Sequence, residues 1–291
     1  MALSRFLCSG PNGSSSSEAK ILAVMMCLIR GAGDIGSAVA HRLFLAGHAV
    51  VIHENPQPST TRRGMAFADA IFDGEAWLDG VKAIRVDELD AIYPIVSSRA
   101  GVVVVVLDFT SVLRSISPDL LVDTRMRKRH HPEVQRGLAR LTIGLGPNFV
   151  AGETTDVVVE TSWEQLGRVI TRGRPLPLRG EPRAIAGHAR DRYVYAPVAG
   201  TLRTSCAIGQ TVKTGEPIAQ IEATPLVAPL DGVLRGLTRD GVPVEVGTKV
   251  IEIDPRSDSP FVRGIGERPA RIADGVVAAI EKARSRTPAD T

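Results

Sequence analysis

Short apolar runs alternate with breaks marked by glycine or proline along the first 170 residues, and the rhythm then changes. Residues 21–29 read as a buried strand ending in Gly31-Ala32-Gly33-Asp34-Ile35-Gly36. Beyond that turn Ile35, Val39, Leu43 and Ala46 recur at helical spacing, and Gly47 stands where a helix C-terminal glycine belongs. Residues 49–52 form a second apolar run. Residues 55–61 must be a loop, after which Arg62-Arg63 opens an expected helix through Ala66, Ala70 and Ile71, with Thr60 or Thr61 as its N-cap. Asp79-Gly80 between two short runs predicts a hairpin with a type I′ turn. Residues 87–98 look helical, and residues 101–107, apolar throughout, predict a central parallel strand. Further strands are expected at 120–123 and 156–161, residues 141–152 read as a strand running into a glycine-rich loop, and a closing amphipathic helix is expected at 271–283.

After a segment rich in proline and glycine the chain repeats itself. Ala196-Pro197-Val198-Ala199-Gly200-Thr201-Leu202-Arg203 matches Ala228-Pro229-Leu230-Asp231-Gly232-Val233-Leu234-Arg235 at an offset of 32, which also carries Gly209 to Gly241, Gly215 to Gly247 and Ile221 to Ile253. Two copies of strand, turn, strand resemble the barrel-sandwich hybrid of biotinyl and lipoyl carriers. Those carriers present a modifiable lysine on the hairpin between the halves. Residues 222–226 contain none, so neither biotin nor lipoate is expected, and the module reads as a packing or docking element. The expected fold class is α/β: a Rossmann-like parallel sheet domain followed by a small all-β barrel-sandwich-hybrid (biotinyl/lipoyl-like) repeat domain. The expected division is a disordered tail (1–20), a nucleotide-binding domain (21–174), a linker (175–192), the two repeats (193–256) and a C-terminal loop, helix and tail (257–291).

The glycine turn carries the chemistry. In a strand–turn–helix of this kind Gly31 makes the tight turn, Gly33 lets backbone approach a pyrophosphate, and Gly36 lets the helix pack on the sheet. Ala32, Asp34 and Ile35 complete the loop, and Glu54, 23 positions after Gly31, stands where an acid holds a ribose hydroxyl. An acid there favours NAD over NADP. Arg62 and Arg63 follow beside the expected crevice, and Asp108 lies at the carboxyl end of the central strand. Arg127, Lys128 and Arg129 belong to the densest basic run. Each basic group reads either as a solvated face or as a clamp on a bound anion. The adjacent His130-His131 lack a third ligand, so no metal is expected.

Composition narrows the partners. A formal charge of +3 over 291 residues does not imply nucleic acid, and no apolar run reaches the length of a membrane span. Three widely spaced cysteines give neither a disulfide framework nor zinc spacing, as expected of a cytoplasmic protein. A homodimer is compatible with an apolar β module.

Several motifs together resemble the YqeB-type accessory proteins of the selenium-dependent molybdenum hydroxylase system. They are Ile29-Arg30-Gly31-Ala32-Gly33-Asp34-Ile35, Gly144-Leu145-Gly146-Pro147 with Ala151-Gly152, Leu166-Gly167-Arg168-Val169-Ile170, the run from Val227 to Gly236, and Ile253-Asp254-Pro255-Arg256. The resemblance implies a supporting role in maturation of a molybdenum hydroxylase of the xanthine dehydrogenase type, similar to that of XdhC-type maturation factors. It implies the hydroxylase apoenzyme as partner, and a small-molecule nucleotide, an NAD-like dinucleotide or the molybdenum cofactor as ligand. Ser162-Trp163-Glu164-Gln165 after Glu160-Thr161, and the lack of a cysteine near Phe261, depart from the pattern. The alternative is an NAD-dependent oxidoreductase of unknown small substrate, with Asp108, Asp123 or the histidine pair as acid or base. The residues leave open whether the chain is an enzyme.

Overall fold

The computed structural model describes residues 24–126, 130–177, 182–256 and 259–285. The first elements are β1 (Met26–Arg30), α1 (Asp34–Leu45), β2 (Ala49–His53), α2 (Ala70–Asp73), β3 (Glu75–Leu78), β4 (Val81–Val86), α3 (Ile92–Ser98), β5 (Val102–Val105), α4 (Phe109–Ile116), β6 (Leu120–Asp123), β7 (Leu141–Leu145), β8 (Val157–Val159) and β9 (Val169–Ile170). They build one nine-stranded sheet in the order β3-β4-β5-β2-β1-β6-β7-β8-β9. From β4 to β8 neighbours run parallel, whereas β3 pairs antiparallel with β4 and β9 antiparallel with β8. The central strands are buried along nearly their whole length, which is why they read as continuous apolar runs.

The repeat region supplies β10 (Tyr193–Tyr195), β11 (Gly200–Arg203), β12 (Thr211–Val212), β13 (Pro217–Ile221), β14 (Thr224–Val227), β15 (Gly232–Leu237), β16 (Pro243–Val244) and β17 (Lys249–Asp254). They form two four-stranded antiparallel sheets, β10-β17-β15-β12 and β14-β13-β11-β16. The offset of 32 exchanges one sheet with the other: Pro217 opposite Val227 becomes Lys249 opposite Tyr195. Each sheet therefore mixes strands from both repeats, and neither repeat completes a sheet alone. Gly200 and Gly232, both at positive φ, make the same sharp entry into β11 and β15.

The chain then returns to the first sheet. α5 (Glu267–Arg284) buries Ile272, Ala273, Val276, Ala279 and Ile280 in the same core cluster as Val39 and Leu43 of α1 and Ile143 of β7. Each large aliphatic side chain so buried contributes about 1.5–3 kcal/mol.

This architecture corrects the expected fold class. The large sheet is mixed, not a Rossmann-like parallel sheet, because the Asp79-Gly80 hairpin and the turn back from β8 each add an antiparallel edge strand. Nor is it followed by a self-contained barrel-sandwich hybrid of the biotinyl/lipoyl kind. The two antiparallel sheets are tied to the first part by Leu237 N donating to Thr61 O (2.8 Å) and by Thr238 Oγ1 donating to Ser59 O (3.2 Å). The helix expected from Arg62 onward is replaced by a single turn, Arg63–Met65, and the short α2. No side chain caps that turn, and Thr61 O accepts both from Arg63 N (2.9 Å) and from Leu237 N of β15.

α1 lies close on β1 because Gly36 has no side chain. A Cβ there would stand 2.0 Å from Gly31 O and 2.5 Å from Thr124 Oγ1, whereas one on Gly33 would meet nothing within 4 Å. Gly36→Ala is therefore expected to cost about 3 kcal/mol, at the upper end of overpacking penalties, and Gly33→Ala far less, as read from urea denaturation midpoints.

Candidate functional site

β1 pairs with β2 on one side and β6 on the other, so the turn that follows it sits where the strand order reverses. In open α/β sheets ligands occupy that crevice. Gly31, at φ +114°, donates its N–H to His53 O (2.9 Å). Ala32 N donates to Glu54 Oε2 (2.8 Å), and Asn55 N to Glu54 Oε1 (2.8 Å). Glu54 thus closes the glycine turn and would have to release Ala32 to hold a ribose. Gly33 is the extended N-cap residue of α1. Asp34 Oδ1 accepts from Ile35 N (3.0 Å), a favourable place for a carboxylate at a helix N-terminus.

Opposite this turn stands a cluster of charges drawn from distant parts of the chain. Arg62 reaches Asp34 Oδ2 with one terminal nitrogen (2.9 Å) and grips Glu252 with Nε (2.9 Å) and the other (3.0 Å). Glu252, on β17, is fully buried. It also accepts from Arg192 (2.6 Å) and from Lys249 Nζ (2.8 Å). Arg235 of β15 lies 3.8 Å from Glu252 and 3.3 Å from Asp254, which Arg256 also holds. Arg268, in the first turn of α5, donates to Thr161 O (2.7 Å).

Arg62, Arg192, Arg235, Lys249 and Arg268 thus gather around the carboxylates of Asp34 and Glu252, and positive charge is in excess. Burial opposes the Glu252 charge, but Arg62 and Lys249 outweigh it and hold the carboxyl well below its ordinary value. Asp34 is lowered in the same way. Burial pushes Lys249, Arg235 and Arg268 down, and the like charge of Arg62 adds to each. The buried Nε atoms of Arg192 and Arg235 have no hydrogen-bond acceptor among the described residues. Buried donors without partners and cations crowded against one another make the cluster receptive to an added anion.

The residues singled out from sequence divide clearly. Gly31, Ala32, Gly33, Asp34, Ile35, Gly36, Glu54 and Arg62 come together. Arg63 does not: its Nε donates to Leu237 O (2.8 Å) and a terminal nitrogen to Asp69 (2.9 Å). Asp108 is exposed and caps α4 by accepting from Ser111 N (2.8 Å). Arg127, Lys128 and Arg129 lie outside the described residues. Asp123 is buried and engaged by Arg125 and by Gln135 Nε2 (2.6 Å). Among the described residues no three His, Cys, Asp or Glu side chains gather as metal ligands. No described helix is long and apolar enough to cross a membrane.

Sequence reasoning missed Arg192, Arg235, Lys249, Glu252 and Arg268. One signal was available: Glu252 interrupts the apolar run Val250-Ile251-Glu252-Ile253, where the first repeat has Gln220.

No family model matches the chain. It is 37% identical over 258 residues to the uncharacterized protein YqeB of Escherichia coli (strain K12). The chain is YqeB-like. The match takes in 88% of this chain and 47% of YqeB, so the chain spans about half the length of that relative. Among solved structures it is similar to a succinylglutamate desuccinylase/aspartoacylase from Rhodobacter sphaeroides, at 27% identity over 22% of each chain and a TM-score of 0.20. A putative member of that enzyme family from Shewanella amazonensis SB2B covers 80% of this chain and 91% of its own, at 13% identity and a TM-score of 0.22. At such scores neither fold nor chemistry carries over.

Glu252→Gln leaves buried cations around a neutral amide and is expected to cost about 3–5 kcal/mol at neutral pH. Since the native carboxyl is held below its ordinary 4.5, its contribution is complete above about pH 4.5 and fades as pH falls below it. The gap between variant and wild type in denaturant titrations should shrink correspondingly under acid conditions.

Proposed function

We propose that the chain binds a nucleotide-like anion between the α1 N-terminus and the Arg62, Lys249 and Arg268 side chains, and that it serves as an accessory protein in maturation of a molybdenum hydroxylase. The observation that carries the binding reading is the excess of buried positive charge facing a glycine turn. The donor set fits a phosphate or pyrophosphate: a helix N-terminus, three cations and an open position over Gly33. The ligand is either an NAD-like dinucleotide or the molybdenum cofactor as cargo. Glu54 would exchange its bond to Ala32 for a ribose or pterin donor.

The maturation role draws its support from the YqeB-like sequence, with the hydroxylase apoenzyme as partner. The NAD-dependent oxidoreductase reading has less behind it. Asp108 is spent on a helix cap and Asp123 on Arg125 and Gln135, so neither stands ready as a proton donor or acceptor.

Thermal unfolding with NAD, NADP, ATP, CTP and purified molybdenum cofactor tests the site. A ligand at a hundred times its dissociation constant stabilises by about 2.7 kcal/mol, which is readily seen as a raised Tm. Gly33→Asp should fold, because the Cβ position is open and aspartate is a preferred N-cap, yet lose the ligand-induced shift through its charge. A shift with the molybdenum cofactor, together with activation of a hydroxylase apoenzyme by the loaded protein, is the expected outcome. A shift with NAD alone would favour the redox enzyme, and no shift with any of them would remove the binding proposal.

A further inference from the structure

Alternate residues of β1 face opposite sides of the large sheet. Ile29 enters the core that holds α1, whereas Leu28 enters the core on the other face, shared with α3 and α4. Arg30, two residues after Leu28 and next to Gly31, therefore ends the strand on the face away from α1. Its side chain is buried and held from two directions. One terminal nitrogen donates to Glu133 Oε1 (2.6 Å), and the guanidinium lies over the ring of Phe109, 3.8 Å from its centroid. Phe109 in turn packs edge-on against His53.

These contacts leave one edge of the guanidinium unused, formed by Nε and the other terminal nitrogen. Neither donates to a described residue, and Nε is buried. That edge is a planar fork able to meet two neighbouring acceptor atoms at once, and stacking on Phe109 fixes its plane.

The charge balance decides which acceptors suit it. Arg125 donates to Asp123 Oδ1 (2.9 Å) and to Glu133 Oε1 (2.8 Å), and Arg30 lies 4.0 Å from Asp123. Two guanidiniums thus stand with two carboxylates. His53 adds no charge at neutral pH: burial pushes its imidazole below the ordinary value, and Arg30 and Arg125 push it the same way. Around Arg62 cations are in excess, but here an added anion would meet a balanced cluster. A pair of neutral acceptors fits both the fork and the balance.

We propose that Arg30 reads the base of the nucleotide held at the glycine turn, through a ring nitrogen and the carbonyl beside it, as in guanine N7 and O6 or cytosine N3 and O2. Adenine sets an acceptor beside a donor and leaves one arm of the fork unpaired. NAD, whose base is adenine, is disfavoured for the same reason. The inference rests on the reading that the nucleotide's phosphates occupy the α1 N-terminus. From there the ligand crosses the carboxyl end of β1 and meets Arg30 on the other face of the sheet.

Titration calorimetry of the full-length protein with GTP, CTP and ATP tests it. A base of the proposed kind is expected to bind roughly tenfold more tightly than ATP, the ratio that one added hydrogen bond of about 1.4 kcal/mol provides. The comparison of GTP with CTP shows which ring carries the pair. The deaza analogue of the preferred nucleotide, 7-deaza-GTP or 3-deaza-CTP, lacks the ring-nitrogen acceptor and should lose a similar factor on the unaltered protein. Arg30→Lys keeps the charge but not the fork, and should bring the preferred nucleotide down to the level of ATP. Equal binding of all three nucleotides, or undiminished binding of the deaza analogue, overturns the role of Arg30 and leaves the anion site standing. Binding of none of them removes the anion site and this inference with it.

Discussion

Glu252 is a single buried carboxylate on which three separate stretches of the chain converge. Arg62 comes from the loop after β2, Arg192 from the approach to β10, and Lys249 from β17 itself. Taking a carboxylate out of water is costly, and only close, well-aligned cations offset that cost. Here they do so with a bidentate guanidinium, a second guanidinium and an ammonium. Arg192 and Lys249 come with the antiparallel sheets themselves, whereas the bidentate Arg62 joins only when the nine-stranded sheet docks against them. It therefore specifies how the two parts of the molecule meet, as well as contributing to their stability.

The same carboxylate links structure to the candidate site. Arg62 spans from Glu252 to Asp34, and so fixes the β-rich part over the N-terminus of α1. α5 closes the third side, carrying Arg268 to the same place while its apolar face enters the main core. The positive excess at the candidate site is thus a by-product of the way three elements are held together. Glu54, turned onto Ala32, keeps the glycine turn's shape.

The internal repeat shows how two copies of one pattern acquire different duties. Both copies build the same strands, and each sheet takes strands from both. The asymmetry enters where the second repeat has Lys249 and Glu252 and the first has Pro217 and Gln220. One face is buried against the loop after β2, and the other stays open to solvent.

Much of this was legible in the chain. The period of apolar residues located α1, α5 and the central strands, because burial on both faces leaves a continuous apolar run. The glycine spacing located the turn, because backbone approach and positive φ exclude side chains there. The offset of 32 located the repeat. What tertiary structure alone decided was the pairing of distant charges and the joining of edge strands to the large sheet, although the Asp79-Gly80 hairpin at one edge was legible. Whether the sheet ends in parallel or antiparallel strands depends on which turn returns the chain, and short edge strands carry little apolar pattern of their own. Arg62 and Arg63 are adjacent and alike in sequence, yet one reaches the glycine turn and the other turns to Asp69 and Leu237. That choice rests on where a carboxylate 190 positions away comes to lie, a long-range contact that no local pattern encodes.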